Sequence, residues 1–261
     1  MENGNQPRAS CLSVVIPAYN EASTLPIVVR KLLKIPELLE IVIVDDCSTD
    51  DTGRLATELA ATFAQVQVVR QPRNAGKTEA LKTGIALTRG AVVIIQDADW
   101  EYDPSEIPEV IKPILAGYAD VVYGSRFLVR RTTRVLYFYH YLANKLLTFT
   151  SNLLTNLNIT DVETCYKAFR GDIIRNMVIT SRGFGFEIEV TAKIAKLKCT
   201  IYEVPISYYG RTYEEGKKIK ASDGLLAFWL VLRFNLFGSL RSSFRQIPEK
   251  RDRPQAIGPV D

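Results

Sequence analysis

The chain has a single histidine, His140, in 261 residues, so no His–carboxylate pair stands out as a proton-transfer device. Its four cysteines (Cys11, Cys47, Cys165 and Cys199) form no CxxC pair and show no metal-ligand spacing, which suits a reduced, cytosolic compartment. No basic-then-apolar leader opens the sequence. No apolar run reaches the ~20 residues needed to cross a bilayer. The nearest, 225–240, is broken by Arg233 and Asn235. No GxGxxG follows a predicted strand, and Asn74-Ala75-Gly76-Lys77 lacks the spacing of a phosphate-binding P-loop. Internal repeats, low-complexity stretches and a linker long enough to split the chain are also missing.

What is present is an ordinary globular composition, 47% apolar and 24% charged, with enough length for one large α/β domain. Residues 1–10 are polar and patternless, and 245–261 are basic and rich in proline; both ends read as loose, leaving 11–240 as the folded domain. The net charge is only +4, but it is unevenly placed. Arg126, Arg130, Arg131 and Arg134 form one cluster, and Arg211, Lys217, Lys218 and Lys220 a second. Arg241, Arg245, Lys250, Arg251 and Arg253 form a third. Solvated surface accounts for such clusters as well as an anionic ligand or a membrane surface does. No nucleic-acid partner is expected.

Residues 12–16, 41–44, 66–69 and 91–95 are short β-branched-rich runs that predict buried parallel strands. Helical stretches at 22–34, 51–64 and 76–87 lie between them, and this alternation predicts a doubly wound sheet. Further on, 120–123 reads as a strand leading into Gly124-Ser125-Arg126 and 135–157 as a helix. Residues 165–169 read as a short strand, 186–197 as a helix and 200–204 as a strand. Residues 222–240 form a helical stretch with a strongly apolar face carrying Phe228, Trp229, Phe234 and Phe237. Ligands of doubly wound sheets bind at the carboxyl ends of the strands. The polar punctuation falls there: Pro17-Ala18-Tyr19-Asn20-Glu21, then Asp45-Asp46, then Asp97-Ala98-Asp99.

Asp97 and Asp99 flank one small residue directly after an apolar strand, so an extended turn can aim both carboxylates at one point. Hard oxygen ligands of this kind suit Mg²⁺ or Mn²⁺ together with phosphate oxygens. Glu101 is placed to add a third oxygen. A solvated acidic turn is the alternative for a bare DxD, and the position at a buried strand tip favours the metal. Of Asp45-Asp46, one carboxylate can accept from a nucleobase N–H, and Ser48, Asp50 or Asp51 can cap the helix that follows. Glu21 is placed to accept ribose hydroxyls.

These segments, followed by Asn74-Ala75-Gly76-Lys77 and Gly124-Ser125-Arg126, occur in an order that resembles glycosyltransferase family 2 with a GT-A fold. The later segments narrow the resemblance. Asp161-Val162-Glu163-Thr164-Cys165-Tyr166-Lys167, Gly185-Phe186-Glu187-Ile188-Glu189, Glu203-Val204-Pro205-Ile206, and Arg211 with Gly216-Lys217-Lys218 are similar to the dolichol-phosphate mannose synthase and polyprenol-phosphate hexosyltransferase group. The resemblance spans roughly residues 11–240. It implies a Rossmann-like, mostly parallel sheet flanked by helices, with amphipathic helices near the C-terminus. It also implies that Pro17, Tyr19, Glu21 and Asp46 contact the nucleoside, and that Asp97, Ala98 and Asp99 lie at the donor diphosphate. Asp97, Asp99 and Glu101 then hold Mg²⁺ or Mn²⁺. Asp97, Asp99 and Arg126 become the catalytic set, and Arg126, Arg131, His140, Arg211 and Lys217 the phosphate- or acceptor-binding set. Three positions depart from the group: Glu101 replaces a usual glutamine, His140 stands where a phosphate-binding arginine is usual, and Gly216-Lys217-Lys218 replaces a loop ending in Ser-Lys.

The expected reaction is inverting transfer of a hexose from a UDP- or GDP-sugar to a polyprenol or dolichol phosphate. If the acceptor is instead a hydroxyl, a base is needed, and Asp161, Glu163 and Glu187 are the candidates. Arg130, Arg131 and Arg134 are candidates to receive the lipid phosphate. The implied setting is the cytoplasmic face of a membrane, held peripherally by residues 135–157 and 222–240, with Trp229, Arg233 and Arg241 at the interface; core packing is the alternative for both helices. A membrane-anchoring subunit or a homo-oligomer is an open possibility. Two other readings remain: a family 2 transferase acting on a soluble glycan or small molecule, and a non-catalytic subunit that binds nucleotide-sugar without turnover.

Overall fold

The computed structural model describes residues 10–128, 134, 137–211 and 221–250, with backbone alone for 221–223. Its frame is one seven-stranded sheet of order β3-β2-β1-β4-β6-β5-β7. The strands are β1 (Leu12–Ala18), β2 (Leu38–Asp45), β3 (Val66–Arg70), β4 (Val92–Ile95), β5 (Val121–Ser125), β6 (Lys167–Arg170) and β7 (Ile201–Pro205). The pairs β1–β2, β2–β3, β1–β4 and β5–β7 are parallel, whereas β6 runs antiparallel to both β4 and β5.

Every residue of β4 is buried, and the apolar residues from Leu12 to Ile16 in β1 are fully covered, as expected for strands packed on both faces. The covering helices of the first half are α1 (Leu25–Leu32), α2 (Thr52–Thr62) and α3 (Lys77–Leu87). Helix α3 crosses so near β1 that a Cβ on Gly84 would sit 2.4 Å from a Val15 methyl. Only glycine permits that approach.

Helix α4 (Ile107–Leu115) carries no sequence-based expectation, because Pro108 and Pro113 interrupt its pattern. Pro108 sits in the first turn, where its missing N–H has no intrahelical role. Ile107, Val110, Ile111 and Ile114 are nevertheless buried on one helical face. A second unexpected element, α6 (Gly171–Asn176), follows β6 directly.

The remaining helices are α5 (Phe138–Thr155), α7 (Phe186–Leu197), α8 (Ala221–Leu236) and α9 (Leu240–Ser243). Helices α5 and α8 pack against each other and against α7. Helix α5 ends at Asn156, whose left-handed φ of 56° closes it. Its residues Tyr139, Leu142, Leu146, Phe149 and Leu153 are all exposed and recur every three or four residues, which lines them along one stripe. Leu225, Trp229, Leu236 and Phe237 extend exposed apolar surface onto α8 and the turn after it. The core-packing alternative thus fails for these side chains, although Leu147, Leu230 and Val231 on the opposite faces do enter the core. No helix among the described residues is long and apolar enough to cross a membrane.

Candidate active site

The strand order reverses between β1 and β4, which opens a crevice at their carboxyl ends. The loops around that crevice carry Asn20, Cys47 and Trp100 in the left-handed region, with φ of 53°, 61° and 64°. Such conformations in non-glycine residues cluster where a backbone is held for function.

The acidic turn leaves β4 through a pinned residue. Gln96 is fully buried; its N–H donates to the Val15 carbonyl, and its Oε1 accepts from Tyr166 Oη at 2.6 Å. Ala98 is then buried. Asp97 and Asp99, on either side of it, stay partly exposed.

The two carboxylates face different cations. Lys77 Nζ lies 2.9 Å from Asp97 and 3.1 Å from Glu187, at the first turn of α7. Burial works against the charge on Lys77, but the carboxylates of Asp97 and Glu187 outweigh it and hold the amine protonated. Asp99 Oδ2 accepts from Arg211 Nη2 at 2.9 Å, and that guanidinium also reaches Glu21 at 3.2 Å. Glu101 Oε1 accepts from the Arg211 backbone N–H at 2.8 Å, and its Oε2 accepts from Tyr208 Oη at 2.8 Å. The segment after β7 is thereby tied down onto the acidic turn.

Burial, followed by the charges of Asp97 and Glu101, pushes the Asp99 carboxyl up to about 7, with Arg211 pulling the other way. Three carboxylates thus repel one another at the strand tip and are relieved by cations of the chain itself. No set of three or more His, Cys, Asp or Glu side chains is gathered as a metal cage among the described residues. The donor chemistry still fits a hard divalent ion, since Asp97 and Asp99 offer carboxylate oxygens whose crowding a second cation would relieve.

Arg126, at the end of β5, is held by a fork. Its Nε and Nη2 donate to the two Asp161 oxygens at 2.6 and 2.7 Å, and Tyr208 lies beneath the guanidinium at 5.2 Å. Burial opposes both charges, yet each keeps the other ionised: Asp161 is held below the usual carboxylate range and Arg126 above its own. The Nη1 donors of Arg126 make no hydrogen bond among the described residues.

Other expected site residues are placed as follows. Pro17 is the penultimate residue of β1, with Tyr19 and the buried Glu21 on the loop beyond it. Asp46 is buried and accepts from the N–H groups of Ala75 and Gly76 at 2.9 and 2.7 Å, so it braces the turn before α3. His140 sits in the first turn of α5 with its ring 5.3 Å from that of Tyr137. Arg134 donates to the Gly210 carbonyl at 3.1 Å, beside Arg211. Arg130, Arg131, Lys217 and the rest of the basic loop lie outside the described residues.

Lys77 joins the candidate site through Asp97 and Glu187, a place that its sequence position did not reveal. A signal existed: a lysine in the first turn of a helix opposes the helix dipole and calls for an acidic partner. Asp161 was legible only as a candidate base, whereas in the structure it anchors Arg126.

Comparison with known proteins gives a consistent picture. The family model described as "Glycosyl transferase family 2" matches residues 13–178. The chain is 32% identical over 235 residues to the polyprenol monophosphomannose synthase of Mycolicibacterium smegmatis, covering 87% of this chain and 88% of that one. It is 31% identical over 218 residues to the undecaprenyl-phosphate mannosyltransferase of Micrococcus luteus, covering 78% and 85%. Among solved structures, the glucosyl-3-phosphoglycerate synthase of Mycobacterium tuberculosis with Mn²⁺ and UDP-glucose is similar in fold, with a TM-score of 0.66 at 20% identity, covering 87% and 79%.

Proposed function

The chain belongs to glycosyltransferase family 2, and starting from that membership we propose that it moves a hexose from a nucleoside-diphosphate sugar to a polyprenol phosphate at a membrane surface. The observation that carries the reading is the convergence of Asp99, Glu101, Glu21 and Arg211 at the crevice between β1 and β4. The two curated relatives are named for mannosyl transfer to polyprenol phosphates, which supports the same acceptor class here.

In this reading the nucleoside lies along Pro17, Tyr19, Glu21 and Asp46, and the diphosphate lies at the acidic turn. Asp97 and Asp99, with Glu101 beside them, would hold Mg²⁺ or Mn²⁺. Such an ion neutralises the charge that builds on the leaving diphosphate. Arg211, paired here with Asp99 and Glu21, would donate to a phosphate oxygen of the donor. Arg126, fixed by Asp161, offers its Nη1 donors to a phosphate in a direction it cannot change. Arg131, His140 and Lys217 belong to the acceptor side.

A phosphate monoester has a second pKa of about 6, so at neutral pH the acceptor is already a dianionic nucleophile. No base is required, in keeping with the single histidine. In-line attack inverts the anomeric centre. The exposed stripe of α5 and the exposed face of α8 lie against the lipid surface, presenting aromatic and aliphatic side chains to acyl chains. Association is peripheral and on the cytoplasmic side.

The test offers labelled GDP-mannose or UDP-glucose, Mn²⁺ or Mg²⁺, and either polyprenol phosphate, free polyprenol or a soluble glycan. Label is expected in the organic phase with the phosphate alone. Label on the soluble glycan instead would replace this reading with the soluble-acceptor one.

A further inference from the structure

One cation beside Arg126 has no carboxylate to hold it. Lys145, in the middle of α5, spends one of its three N–H donors on the Thr160 carbonyl, at 3.2 Å. Its ammonium otherwise meets aromatic faces, 3.9 Å from the centroid of the Phe127 ring and 5.6 Å from that of Tyr141. It forms no ion pair among the described residues, and Asp161, which follows Thr160, is taken up by the Arg126 fork.

Two separate contacts put this ammonium next to Arg126. Thr160, which receives Lys145, directly precedes Asp161, which receives Arg126. The Phe127 ring that lies under Lys145 also has the Arg126 guanidinium 5.8 Å from its centroid. The two cations are therefore no further apart than those two ring distances combined, and one ligand can meet both. Both keep accessible surface: Lys145 is half-buried, and the Arg126 side chain is 16% exposed. Arg126 in turn lies over Tyr208, whose hydroxyl donates to Glu101 at 2.8 Å. The pair thus stands between the acidic turn and α5.

The chemistry of a ligand for this pair is restricted. Aromatic faces hold an ammonium without neutralising it, so its charge stays available. A divalent cation is repelled, and a neutral alcohol gains little from two positive charges. A phosphate dianion accepts charge-assisted hydrogen bonds from both. The surroundings add a second requirement. Tyr141 packs edge-on against Phe127, with ring centroids 5.4 Å apart, and is itself exposed. Leu142 and Leu146, next to Tyr141 and Lys145, belong to the exposed apolar stripe of α5. A phosphate that carries hydrocarbon satisfies both requirements, whereas inorganic phosphate satisfies one.

We propose that Lys145 binds the phosphate of the acceptor, donating to one of its oxygens beside Arg126 and selecting a prenyl phosphate monoester over the corresponding alcohol. The proposal rests on the lipid-phosphate reading of the transfer. The basic clusters of the sequence do not include Lys145, which stands alone in an apolar helix.

The test uses wild type, Lys145→Gln and Lys145→Arg, since glutamine can still donate to Thr160 and arginine keeps the charge. Calorimetry with Mn²⁺ and GDP or UDP present measures binding of a water-soluble two-isoprene prenyl phosphate, the matching alcohol and inorganic phosphate. Steady-state kinetics with polyprenol phosphate in a neutral detergent give acceptor KM and donor KM separately. Wild type is expected to bind the prenyl phosphate more tightly than either the alcohol or inorganic phosphate. Lys145→Gln is expected to weaken prenyl phosphate binding and raise acceptor KM about tenfold to a hundredfold, the worth of a hydrogen bond between charged groups. Donor KM stays within about twofold, and Lys145→Arg recovers part of the loss.

Unchanged prenyl phosphate affinity in Lys145→Gln overturns the proposal, as does wild-type affinity for inorganic phosphate or the alcohol equal to that for the prenyl phosphate. Equal rises in donor and acceptor KM, or a loss that Lys145→Arg does not relieve, make Lys145 a brace for Thr160 and overturn it too. Weaker prenyl phosphate binding in Lys145→Gln, with no lipid product from wild type, removes only the transfer reading. Lipid product from wild type with unchanged affinity in Lys145→Gln removes only this proposal.

Discussion

Arg211 Nη2 lies 2.9 Å from Asp99 Oδ2, and the same arginine reaches Glu21 and donates its backbone N–H to Glu101. A cation of the chain thus stands among the carboxylates that a divalent ion would use. Arg211→Ala removes that competitor. Mn²⁺ affinity of the nucleotide-free protein is expected to rise about tenfold, given the strength of a charge pair at this distance near a protein surface. On the proposed function, transfer falls at the same time, because the arginine would no longer contact the donor phosphate. Electron paramagnetic resonance of free Mn²⁺ reads the first effect; weaker binding would contradict the competition.

The Arg126–Asp161 fork has a different consequence. Asp161 is fully buried, and its loss leaves the largely covered guanidinium of Arg126 without its partner. Asp161→Ala is expected to cost about 3–5 kcal/mol of stability, the usual result of breaking a buried pair from one side. Urea denaturation measures it. A cost below 1 kcal/mol would mean that water reaches Arg126 and that its direction is not fixed.

Glu163 gives a pH signature. Its folded pKa, about 7, lies above the ordinary 4.5, so the folded chain keeps a proton that the unfolded chain releases between those values. Stability from this group is therefore present below about pH 4.5 and lost as pH rises towards 7. Glu163→Gln has no such loss. The variant's advantage in Tm over wild type is expected to widen from pH 5 to pH 8, on the order of 2 kcal/mol in free energy. A difference that stays constant with pH contradicts the burial of an unpaired carboxyl.

The exposed stripe on α5 predicts a separation of binding from folding. Phe149→Glu combined with Leu153→Glu alters side chains that are 65% and 71% exposed, so Tm changes little. Co-sedimentation with anionic vesicles is expected to fall about tenfold or more, since two apolar contacts become charges. Unchanged sedimentation would assign the stripe to something other than lipid.

The parallel half of the sheet was legible because its strands are continuous apolar runs punctuated at their carboxyl ends. Asp97, Asp99 and Glu21 follow from that punctuation, and the structure brings their loops to one crevice; Arg126 came only from the family resemblance. The antiparallel β6 was readable as a strand, but its direction depends on pairing with β4 and β5, which local pattern does not encode. Helix α4 was hidden by Pro108, which costs little in the first turn, and by Pro113, which lies inside the helix and interrupts its pattern. The pairings of the site were the least legible part. Lys77 with Asp97 and Glu187, and Arg211 with Glu21 and Asp99, join residues far apart in sequence, and only the folded chain sets one against the other.

The central claim is that the acidic turn is the diphosphate end of a donor pocket. The most direct measurement is an anomalous difference map from crystals grown with Mn²⁺ and GDP or UDP. A manganese peak contacting Asp97 or Asp99 and a diphosphate oxygen is expected, with Arg211 moved off Asp99. A nucleotide bound elsewhere, or a peak remote from both aspartates while Arg211 keeps its bond to Asp99, would contradict it.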